Sequence, residues 1–247
     1  MEKEIETLKT WIKESDNIVF FGGAGVSTES GIPDFRSTDG LYNEKWSDPP
    51  ETIISHSYFM AYPEKFYDFY KQKMIYKDAK PGPAHTALAK LEAEGKLKAV
   101  ITQNIDGLHS MAGSKEVYEI HGSILHNHCM RCHKYFSLSD IMSKEGVPMC
   151  DCGGIIKPDV VLYEEGLDSG LLNKSVLAIQ NADVFIIGGT SLNVYPAAGL
   201  LDYYRGNKMV LINKSTTPKD SYADLVIHDS IGKVLTETVG GRGLGPR

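Results

Sequence analysis

The stretch that decides the fold runs from residue 17 to residue 36 and reads NIVFFGGAGVSTESGIPDFR. Its first part, Asn17–Phe21, is a short apolar run of the kind that forms a strand buried on both faces. Gly22, Gly23 and Gly25 follow at once, and a strand that enters a glycine-rich turn and then a helix has the geometry of a dinucleotide phosphate site. Such turns also occur without a ligand, so the loop alone leaves a purely structural role open.

The loop departs from the fingerprint of hydride-transferring dehydrogenases. Thr28 stands where that fingerprint has its third glycine, and no second strand ends in an acidic residue about 20 residues further on. Instead the chain continues with Gly31–Arg36, a stiff segment that combines a carboxylate, an aromatic ring and a guanidinium. The sequence therefore indicates a dinucleotide without the layout for hydride transfer, and a dehydrogenase remains an alternative.

Outward from this stretch, short apolar runs alternate with helical patterns. Strands are predicted at Asn17–Phe21, Ala99–Thr102, Asp183–Gly188, Lys208–Asn213 and Asp224–Ile227. Helices are predicted at Glu4–Glu14, Pro83–Glu94, Leu171–Asn181, Ala197–Tyr204 and Ile231–Val239. This alternation predicts an α/β fold, a Rossmann-like parallel sheet with helices on both faces.

Two segments interrupt the alternation and predict a second, smaller domain. Residues 38–80 are rich in aromatic and charged side chains and are interpreted as a helical module, and residues 126–155 contain all four cysteines. The Rossmann-like domain then consists of residues 1–37, 81–125 and 156–239, and the glycine-rich residues 240–247 are expected to form a flexible tail.

Composition limits the class of protein. The chain has 247 residues, 42% of them hydrophobic, which suits one large domain or one and a half. Its net charge of −6 argues against nucleic acid as a direct partner, because neutralising phosphates needs clustered Lys and Arg. We find no signal peptide and no apolar run long enough to span a membrane, and we expect a cytoplasmic protein with reduced thiols.

The cysteines form the pattern C-x2-C-x17-C-x-C at Cys129, Cys132, Cys150 and Cys152. Two close thiol pairs about 15–20 residues apart are typical of a four-thiolate zinc site. Such a site has no open position for substrate, so we expect one structural Zn²⁺. Disulfides, a nucleic-acid zinc ribbon and substitution of a thiolate by a neighbouring imidazole remain alternatives, the imidazoles being those of His126, His128 and His133.

Polar side chains follow the predicted strands where parallel strands place a ligand crevice. Asn104 and Asp106 alternate after the strand that ends at Thr102 and are placed to reach a ribose or a water, although Asp106 is also placed to cap a helix. Gly189–Ser191 and Asn213 end two further strands.

A histidine and a glycine follow the apolar stretch Val117–Ile120. His121 lies between the predicted cofactor elements and the zinc module, and histidine is the natural base near neutral pH. Gly122 permits a close approach at this point. A lone histidine is more often structural than catalytic, so both roles stay open on position alone.

Together these motifs resemble the sirtuins of bacterial type, the NAD-dependent protein-lysine deacylases. The matching segments follow the family's order and span nearly the whole chain: Gly23–Arg36, TQNIDGLH at Thr102–His109, His121-Gly122, the four cysteines, KPDVVLYEE at Lys157–Glu165 and GTSLNVYPAA at Gly189–Ala198. The resemblance implies a Rossmann-like domain and a small zinc-binding domain, with NAD and an acylated lysine meeting in the cleft between them.

The resemblance also implies residue roles. His121 is the expected general base, acting with Asn104 and Asp106. NAD is expected to contact a set drawn from the strand ends: Gly23, Ala24, Gly25, Asp34, Phe35, Arg36, Gln103, Asn104, Ile105, Asp106, Gly189, Thr190, Ser191, Asn213 and Ile231. The acyl-lysine and its peptide are expected to contact Tyr70, Lys73, Val160, Val161, Tyr163, Asn193 and Val194.

The implied reaction consumes NAD. The acyl oxygen attacks C1′ of the nicotinamide ribose, nicotinamide leaves, and His121 removes a proton from a ribose hydroxyl that then attacks the imidate. Water completes the reaction and gives free lysine and O-acyl-ADP-ribose. A neutral acyl-lysine suits an apolar tunnel that a charged ammonium would enter only at a heavy desolvation cost.

Two departures from the family concern the substrate side. The family usually has Phe-Gly-Glu where this chain has Tyr163-Glu164-Glu165, and we expect Glu164 to favour basic neighbours in the peptide. Family members that remove succinyl groups carry a Tyr-x-x-Arg pair, which we align with Tyr70 and Lys73. Lysine lacks the bidentate fork of arginine, so deacetylation should dominate over desuccinylation.

Two functions of other kinds remain open at the level of sequence. One is an NAD-dependent mono-ADP-ribosyltransferase on the same fold, and the other is a non-catalytic NAD sensor or scaffold. We expect a monomer whose partners are acylated lysines in proteins or peptides.

Overall fold

The computed structural model describes residues 1–34 and 46–240. The strands are β1 (Ile18–Gly22), β2 (Leu97–Thr102), β3 (Val117–Glu119), β4 (Gly122–Cys129), β5 (Tyr135–Ser137), β6 (Ile156–Val160), β7 (Val184–Gly188), β8 (Met209–Ile212) and β9 (Leu225–Ile227). The α-helices are α1 (Glu2–Glu14), α2 (Pro50–Ile53), α3 (His56–Ala61), α4 (Pro63–Lys73), α5 (Pro83–Ala93), α6 (Leu108–Met111), α7 (Leu138–Met142), α8 (Ser169–Asn181) and α9 (Ile231–Val239).

Six strands form a sheet in the order β3-β2-β1-β7-β8-β9, and every neighbouring pair is parallel. Strand β1 is buried throughout, with Ile18 and Phe20 facing one core and Val19 and Phe21 facing the other. Helices α1, α5 and α9 contribute to the first core, and α8 contributes to the second. The apolar runs are therefore strands covered on both faces, and the predicted fold class is confirmed.

A smaller antiparallel sheet has the order β5-β4-β6. It shares a third core with helices α2 to α4 and α7, and that core is dominated by aromatic side chains. Five of these are almost completely buried: Phe59, Phe66, Tyr67, Phe69 and Tyr70. The small sheet begins at Gly122 and ends at Val160, so it extends beyond the predicted zinc module of residues 126–155. The predicted division into domains stays a prediction.

The predicted and observed elements differ, and besides the strands of the small sheet, which were not predicted individually, three differences concern the large sheet and its connections. The helix predicted at Ala197–Tyr204 is a 3-10 helix, Ala197–Tyr203. The glycine-rich turn is followed by two single-turn 3-10 helices, Ala24–Val26 and Thr28–Ser30, instead of one α-helix. Strand β3 was not predicted, because it contributes only three half-buried residues to the edge of the sheet.

Membrane crossing can be assessed for the helices directly. Among residues 1–34 and 46–240, none of the helices combines the length and the apolar character that crossing a bilayer requires.

Candidate active site

A cavity of about 910 Å³ lies where the carboxyl ends of β1, β2, β7 and β8 meet the segment after β6. His121 lines it, together with most of the residues predicted to contact NAD: Gly23, Ala24, Gly25, Asp34, Gln103, Asn104, Ile105, Asp106, Gly189, Thr190, Ser191, Asn213 and Ile231. Phe35 and Arg36 were also predicted there and lie outside the described residues. The strand ends therefore meet around one crevice, as expected for parallel strands.

The glycine-rich loop lies directly against the end of β7. The backbone N–H of Gly25 donates to the carbonyl of Gly189 at 2.8 Å. A Cβ placed on Gly25 would come within 2.8 Å of the Gly189 Cα and carbonyl oxygen, and Gly189 itself has a φ of +60°. No side chain fits between these two segments, so main-chain atoms form this wall of the cavity. A backbone-lined cradle of this kind fits the pyrophosphate of a dinucleotide.

Ser27 is the centre of a hydrogen-bond network beside the loop. Its Oγ donates to Asp106 Oδ2 at 2.6 Å and accepts from Asn104 Nδ2 at 3.0 Å. His85 Nε2 lies 3.4 Å from the same Oγ, and its Nδ1 accepts from the Gly82 N–H. The Nε2 atom therefore carries the ring proton and donates to Ser27. Asn104 uses its amide nitrogen on Ser27, which leaves its Oδ1 as the acceptor for a ligand hydroxyl.

Asp106 is bonded both to the first turn of α6, whose N-cap is Gly107, and to the network around Ser27. Its Oδ1 accepts from the backbone N–H of Leu108, the first residue of α6, at 2.9 Å. Its Oδ2 accepts from Ser27, and the side chain also lines the cavity. A capping bond and a bond to the polar network thus fix both oxygens of one carboxylate next to the predicted ribose site.

Gln103 follows the end of β2 and is hydrogen-bonded to the end of β1 and to the segment after β7. Its Nε2 donates to Thr190 Oγ1 at 3.0 Å, and its backbone N–H donates to the carbonyl of Gly22 at 3.0 Å. The ends of β1, β2 and β7 are therefore held together by polar contacts as well as by the sheet.

His121 is bonded to both sides of the cavity. Its Nδ1 lies 3.0 Å from the carbonyl oxygen of Gln103, and a carbonyl can only accept, so Nδ1 carries the proton. Its own carbonyl accepts from the Val161 N–H at 2.9 Å. Burial lowers the pKa of His121, which keeps the ring neutral near pH 7. Nε2 is therefore the basic nitrogen, and His121 lines the cavity.

The four cysteines lie together next to the small sheet. Their Sγ atoms are all within 4.8 Å of one another, with Cys129 and Cys152 at 3.4 Å and Cys132 and Cys150 at 3.7 Å. Tetrahedral Zn–S bonds of about 2.3 Å imply sulfur atoms about 3.8 Å apart, so the four thiols fit one zinc ion. Among the described residues, these four cysteines are the group of three or more His, Cys, Asp or Glu side chains whose ligand atoms lie close enough to share a metal ion. The group contains no histidine.

Tight backbone turns hold the thiols in place. Gly153 has a φ of +82°, and a Cβ on Gly154 would lie 2.6 Å from the Cys129 Sγ. His128, one of the imidazoles considered as a replacement ligand, instead pairs with the Asp159 carboxylate at 2.8 Å. The arrangement therefore favours four thiolates, as the cysteine spacing predicts.

A family model described as the Sir2 family matches residues 23–196. The chain belongs to the Sir2 family. An NAD-dependent protein deacetylase of Clostridium perfringens is 62% identical over 243 residues, which cover 97% of this chain and 100% of that protein. The predicted family is thus confirmed, and that relative's description agrees with the predicted reaction class.

Solved Sir2 structures share this fold. A Sir2 enzyme structure with 40% identity covers 97% of this chain and 98% of its own, with a TM-score of 0.88. A Sir2 protein solved with a p53 peptide and NAD⁺ is 36% identical, covers 98% and 99% of the two chains, and gives a TM-score of 0.85.

The residues that a Sir2 protein is expected to place on its substrate side also surround the cavity, with one difference. Lys73, Val160, Val161, Tyr163, Asn193 and Val194 line it. Tyr70 does not line it and is fully buried in the aromatic core, where its ring stacks on Phe66. Of the two residues predicted to recognise the acyl group, only Lys73 therefore lines the cavity. Tyr70 lies in the buried part of α4, whereas Lys73 is its last residue.

Several groups at this Sir2 site were missed from the sequence. Ser27 lies inside the glycine-rich loop and could have been proposed from that position, whereas His85 gives no local signal because its partner is 58 residues away. Glu119 ends the unpredicted strand β3. Burial and the Asp106 carboxylate raise the pKa of Glu119 to about 7. Near neutral pH, Glu119 is therefore protonated in a substantial fraction of molecules.

Proposed function

We propose that this Sir2 protein removes acetyl groups from lysine side chains of proteins and consumes NAD, giving nicotinamide, O-acetyl-ADP-ribose and free lysine. The observation that carries the proposal is the position of His121, whose ring is bonded to the cofactor side and whose backbone is bonded to the peptide side. The deacetylase relative and the Sir2 structure with NAD⁺ and a p53 peptide support the same reaction class.

In this proposal, NAD occupies the part of the cavity formed by the strand ends. The backbone wall of Gly25 and Gly189 holds the pyrophosphate, and Asn213 and Ile231 lie on the adenosine side. Asn104 accepts a hydrogen bond from a ribose hydroxyl through its Oδ1, which the network around Ser27 leaves facing outward. When bound, NAD supplies a ribose carbon that releases nicotinamide and a ribose hydroxyl that accepts the acetyl group.

His121 supplies the base. Its Nε2 takes the proton of the ribose hydroxyl, and the Gln103 carbonyl stabilises the resulting imidazolium through Nδ1–H. Because burial lowers the pKa of His121, the ring is available as a base at neutral pH. General base catalysis by a positioned side chain contributes roughly 10²–10⁴-fold to a rate.

The acetylated lysine enters from the opposite side, past Val160 and Val161. Acetylation removes the charge of the lysine, so the side chain passes these apolar groups without the desolvation cost of an ammonium. The peptide backbone adds as a strand between residues 161–165 and 191–195, which makes affinity depend mainly on main-chain hydrogen bonds. Lys73 places a cation on the substrate side of the cavity, which suits weak activity on acidic acyl groups.

Mass spectrometry of an acetyl-lysine peptide incubated with NAD and the protein tests the reaction class. We expect deacetylated peptide together with O-acetyl-ADP-ribose, and neither product when NAD is omitted. A peptide that gains the mass of ADP-ribose and keeps its acetyl group would replace the proposal with mono-ADP-ribosyl transfer. An unchanged peptide and unchanged NAD would favour the non-catalytic sensor.

A further inference from the structure

The segment Tyr163–Glu165 contains a glutamate with an unusual backbone conformation. Glu164 has a φ of +74°, in the left-handed region that side chains rarely adopt and glycine adopts freely. It stands where the family usually has glycine. A side chain at such a position persists when its own contacts compensate for the conformation.

Both carboxylate oxygens of Glu164 are bonded to one residue of the helical module. Oε2 accepts from the backbone N–H of Ser57 at 2.9 Å, and Oε1 accepts from the Ser57 hydroxyl at 3.0 Å. Ser57 is the second residue of α3, where a backbone N–H has no acceptor within its own helix. Glu164 therefore caps the Ser57 N–H in the first turn of α3, beside the N-cap residue Ser55, from a segment 107 residues further along the chain.

The neighbouring residues join the same two segments. The N–H of His56 donates to the Tyr163 carbonyl, and the Tyr163 N–H donates to the carbonyl of Ile54, each at 3.0 Å. His56 Nδ1 lies 2.8 Å from Glu165 Oε1. Consecutive residues of one segment thus contact consecutive residues of the other.

Glu165 is fixed from a second direction. Its Oε2 accepts from the Leu162 N–H at 2.9 Å and from Lys157 Nζ at 3.1 Å. Burial acts to raise the pKa of Glu165, but hydrogen bonds from His56 and Leu162 and the charge of Lys157 outweigh it and lower that pKa. Glu165 therefore stays ionised and is bonded both to β6, through Lys157, and to His56 at the start of α3, whereas both oxygens of Glu164 are bonded to Ser57 of α3.

We propose that Glu164 is a positioning residue for the substrate peptide: it fastens residues 163–165 to α3 and so holds the edge at Val161–Tyr163 in the extended form that a peptide strand needs. This rests on the proposed function, because it assigns the peptide to that edge. Glu164 then contributes to peptide affinity through backbone order and not through its charge. The alternative outcome is the one expected from the sequence, in which the carboxylate reads basic residues of the peptide.

Three variants separate these outcomes. Glu164→Gly removes the cap and suits the left-handed backbone, so it should fold. Glu164→Gln keeps an oxygen for the Ser57 N–H and removes the charge. Glu51→Gln, at an exposed carboxylate in the first turn of α2, is the control for the loss of one negative charge. Each is assayed with two acetyl-lysine peptides, one flanked by neutral residues and one flanked by arginines.

We expect Glu164→Gly to raise the KM for both peptides about fivefold, as loss of roughly one hydrogen bond would, with the KM for NAD and kcat unchanged. Glu164→Gln and Glu51→Gln should stay within about twofold of wild type. An unchanged peptide KM in Glu164→Gly would overturn the proposal. A loss in Glu164→Gln confined to the arginine peptide would overturn it in favour of charge reading.

Two further measurements test the proposal without enzymatic turnover. They are hydrogen exchange of the Ser57 amide and fluorescence anisotropy of a labelled acetyl-lysine peptide. Ser57 should exchange faster in Glu164→Gly, and that variant should bind the peptide about fivefold more weakly. A wild-type protein that binds the peptide but never deacetylates it would contradict the proposed function alone. Unchanged exchange and affinity in Glu164→Gly would contradict the positioning role alone.

Discussion

The two sides of the cavity are held in different ways. The cofactor side consists of the ends of parallel strands and of glycine backbones that touch each other, as at Gly25 and Gly189. The peptide side is continuous with the small sheet, and its order depends on side chains: four thiols, a core of aromatic rings and a pair of carboxylates. The first side therefore depends mainly on close packing of backbones, whereas the second depends on side chains that bind a metal, pack together or form individual hydrogen bonds.

His121 and the residue after it join the two sides. Gly122 begins β4 of the small sheet, whereas the His121 ring is bonded to Gln103 beyond the end of β2. A Cβ on Gly122 would lie 1.7 Å from the Asp159 carbonyl, and its φ is +76°, so the chain passes between the two sheets at a point where only glycine fits. The following four predictions test how independent the two sides are.

Loss of the metal should have the largest effect and should fall on the peptide side. A double substitution, Cys129→Ser with Cys152→Ser, removes one close thiol pair. Structural zinc contributes about 10–16 kcal/mol in small domains, so we expect loss of bound zinc and of all deacetylation. Hydrogen exchange should show strands β4 to β6 losing protection while β1 and β7 keep most of theirs.

The control for this experiment is wild-type protein that is treated with a chelator and then supplied with Zn²⁺, which should regain activity. If the double variant kept one zinc per chain and normal exchange in β4 to β6, the thiols would not be the metal site on which this side depends.

Substitution of the base should come next. In His121→Ala the basic Nε2 is lost, and kcat should fall by about 10²–10⁴-fold. The backbone cradle is untouched, so NAD affinity measured by calorimetry should change by less than about threefold. His126→Ala, at an exposed histidine of β4, is the matched control. A His121→Ala protein with nearly normal kcat would show that the ring has another role.

On the cofactor side, a buried histidine should make stability depend on pH between 7 and 5. Burial and the neighbouring His85 lower the pKa of His109 to about 3, and neither ring nitrogen has a partner among the described residues. An unfolded histidine titrates near 6.5, so below that pH the unfolded chain binds a proton that the folded protein does not. The free energy of unfolding should therefore fall by roughly 2 kcal/mol between pH 7 and pH 5 on account of His109.

Denaturant unfolding at pH 7 and pH 5 measures this slope. In His109→Phe, the free energy of unfolding should fall by roughly 2 kcal/mol less between pH 7 and pH 5 than in wild type, since phenylalanine cannot take up the proton. The same substitution at the exposed His126 is the control. If the free energy of unfolding of His109→Phe fell as much between pH 7 and pH 5 as that of wild type, the buried ring would not govern stability in acid.

The smallest effect is expected from the cradle. In Gly25→Ala the added methyl group would lie 2.8 Å from Gly189 and push the loop away from β7. We expect the KM for NAD to rise about tenfold and the KM for the peptide to stay within about twofold. Gly199→Ala, where the nearest atom to the new Cβ is 3.8 Å away, is the control. Equal changes in both KM values would show that the two sides are not separable here.

The sequence predicted the cofactor side better than the peptide side, and the reason is physical. Each strand core of the large sheet except β3 is a continuous apolar run, and the residues after the strands lie in one crevice because parallel strands share a carboxyl edge. The small sheet mixes cysteines, histidines and polar residues, so no period identified its strands. Contacts such as those between Glu164 and Ser57 join residues 107 positions apart and leave no local signal.

Local spacing also misled at α4. Tyr70 and Lys73 were expected to contact the acyl group as a pair, because they align with the Tyr-x-x-Arg pair of family members that remove succinyl groups. The run from Phe66 to Tyr70 buries four aromatic rings, so the helix is enclosed over a wide arc and Tyr70 points into the core. Only the last turn, at Lys73, reaches the cavity.

In the proposed reaction, a dinucleotide and an acetylated lysine react with each other in one cavity at His121. The most direct test is the ratio of nicotinamide released to lysine deacetylated, measured in the same reaction mixture with and without acetyl-lysine peptide. We expect a ratio of about one and very little nicotinamide without the peptide. Deacetylation without NAD, or steady nicotinamide release that does not depend on the peptide, would contradict it.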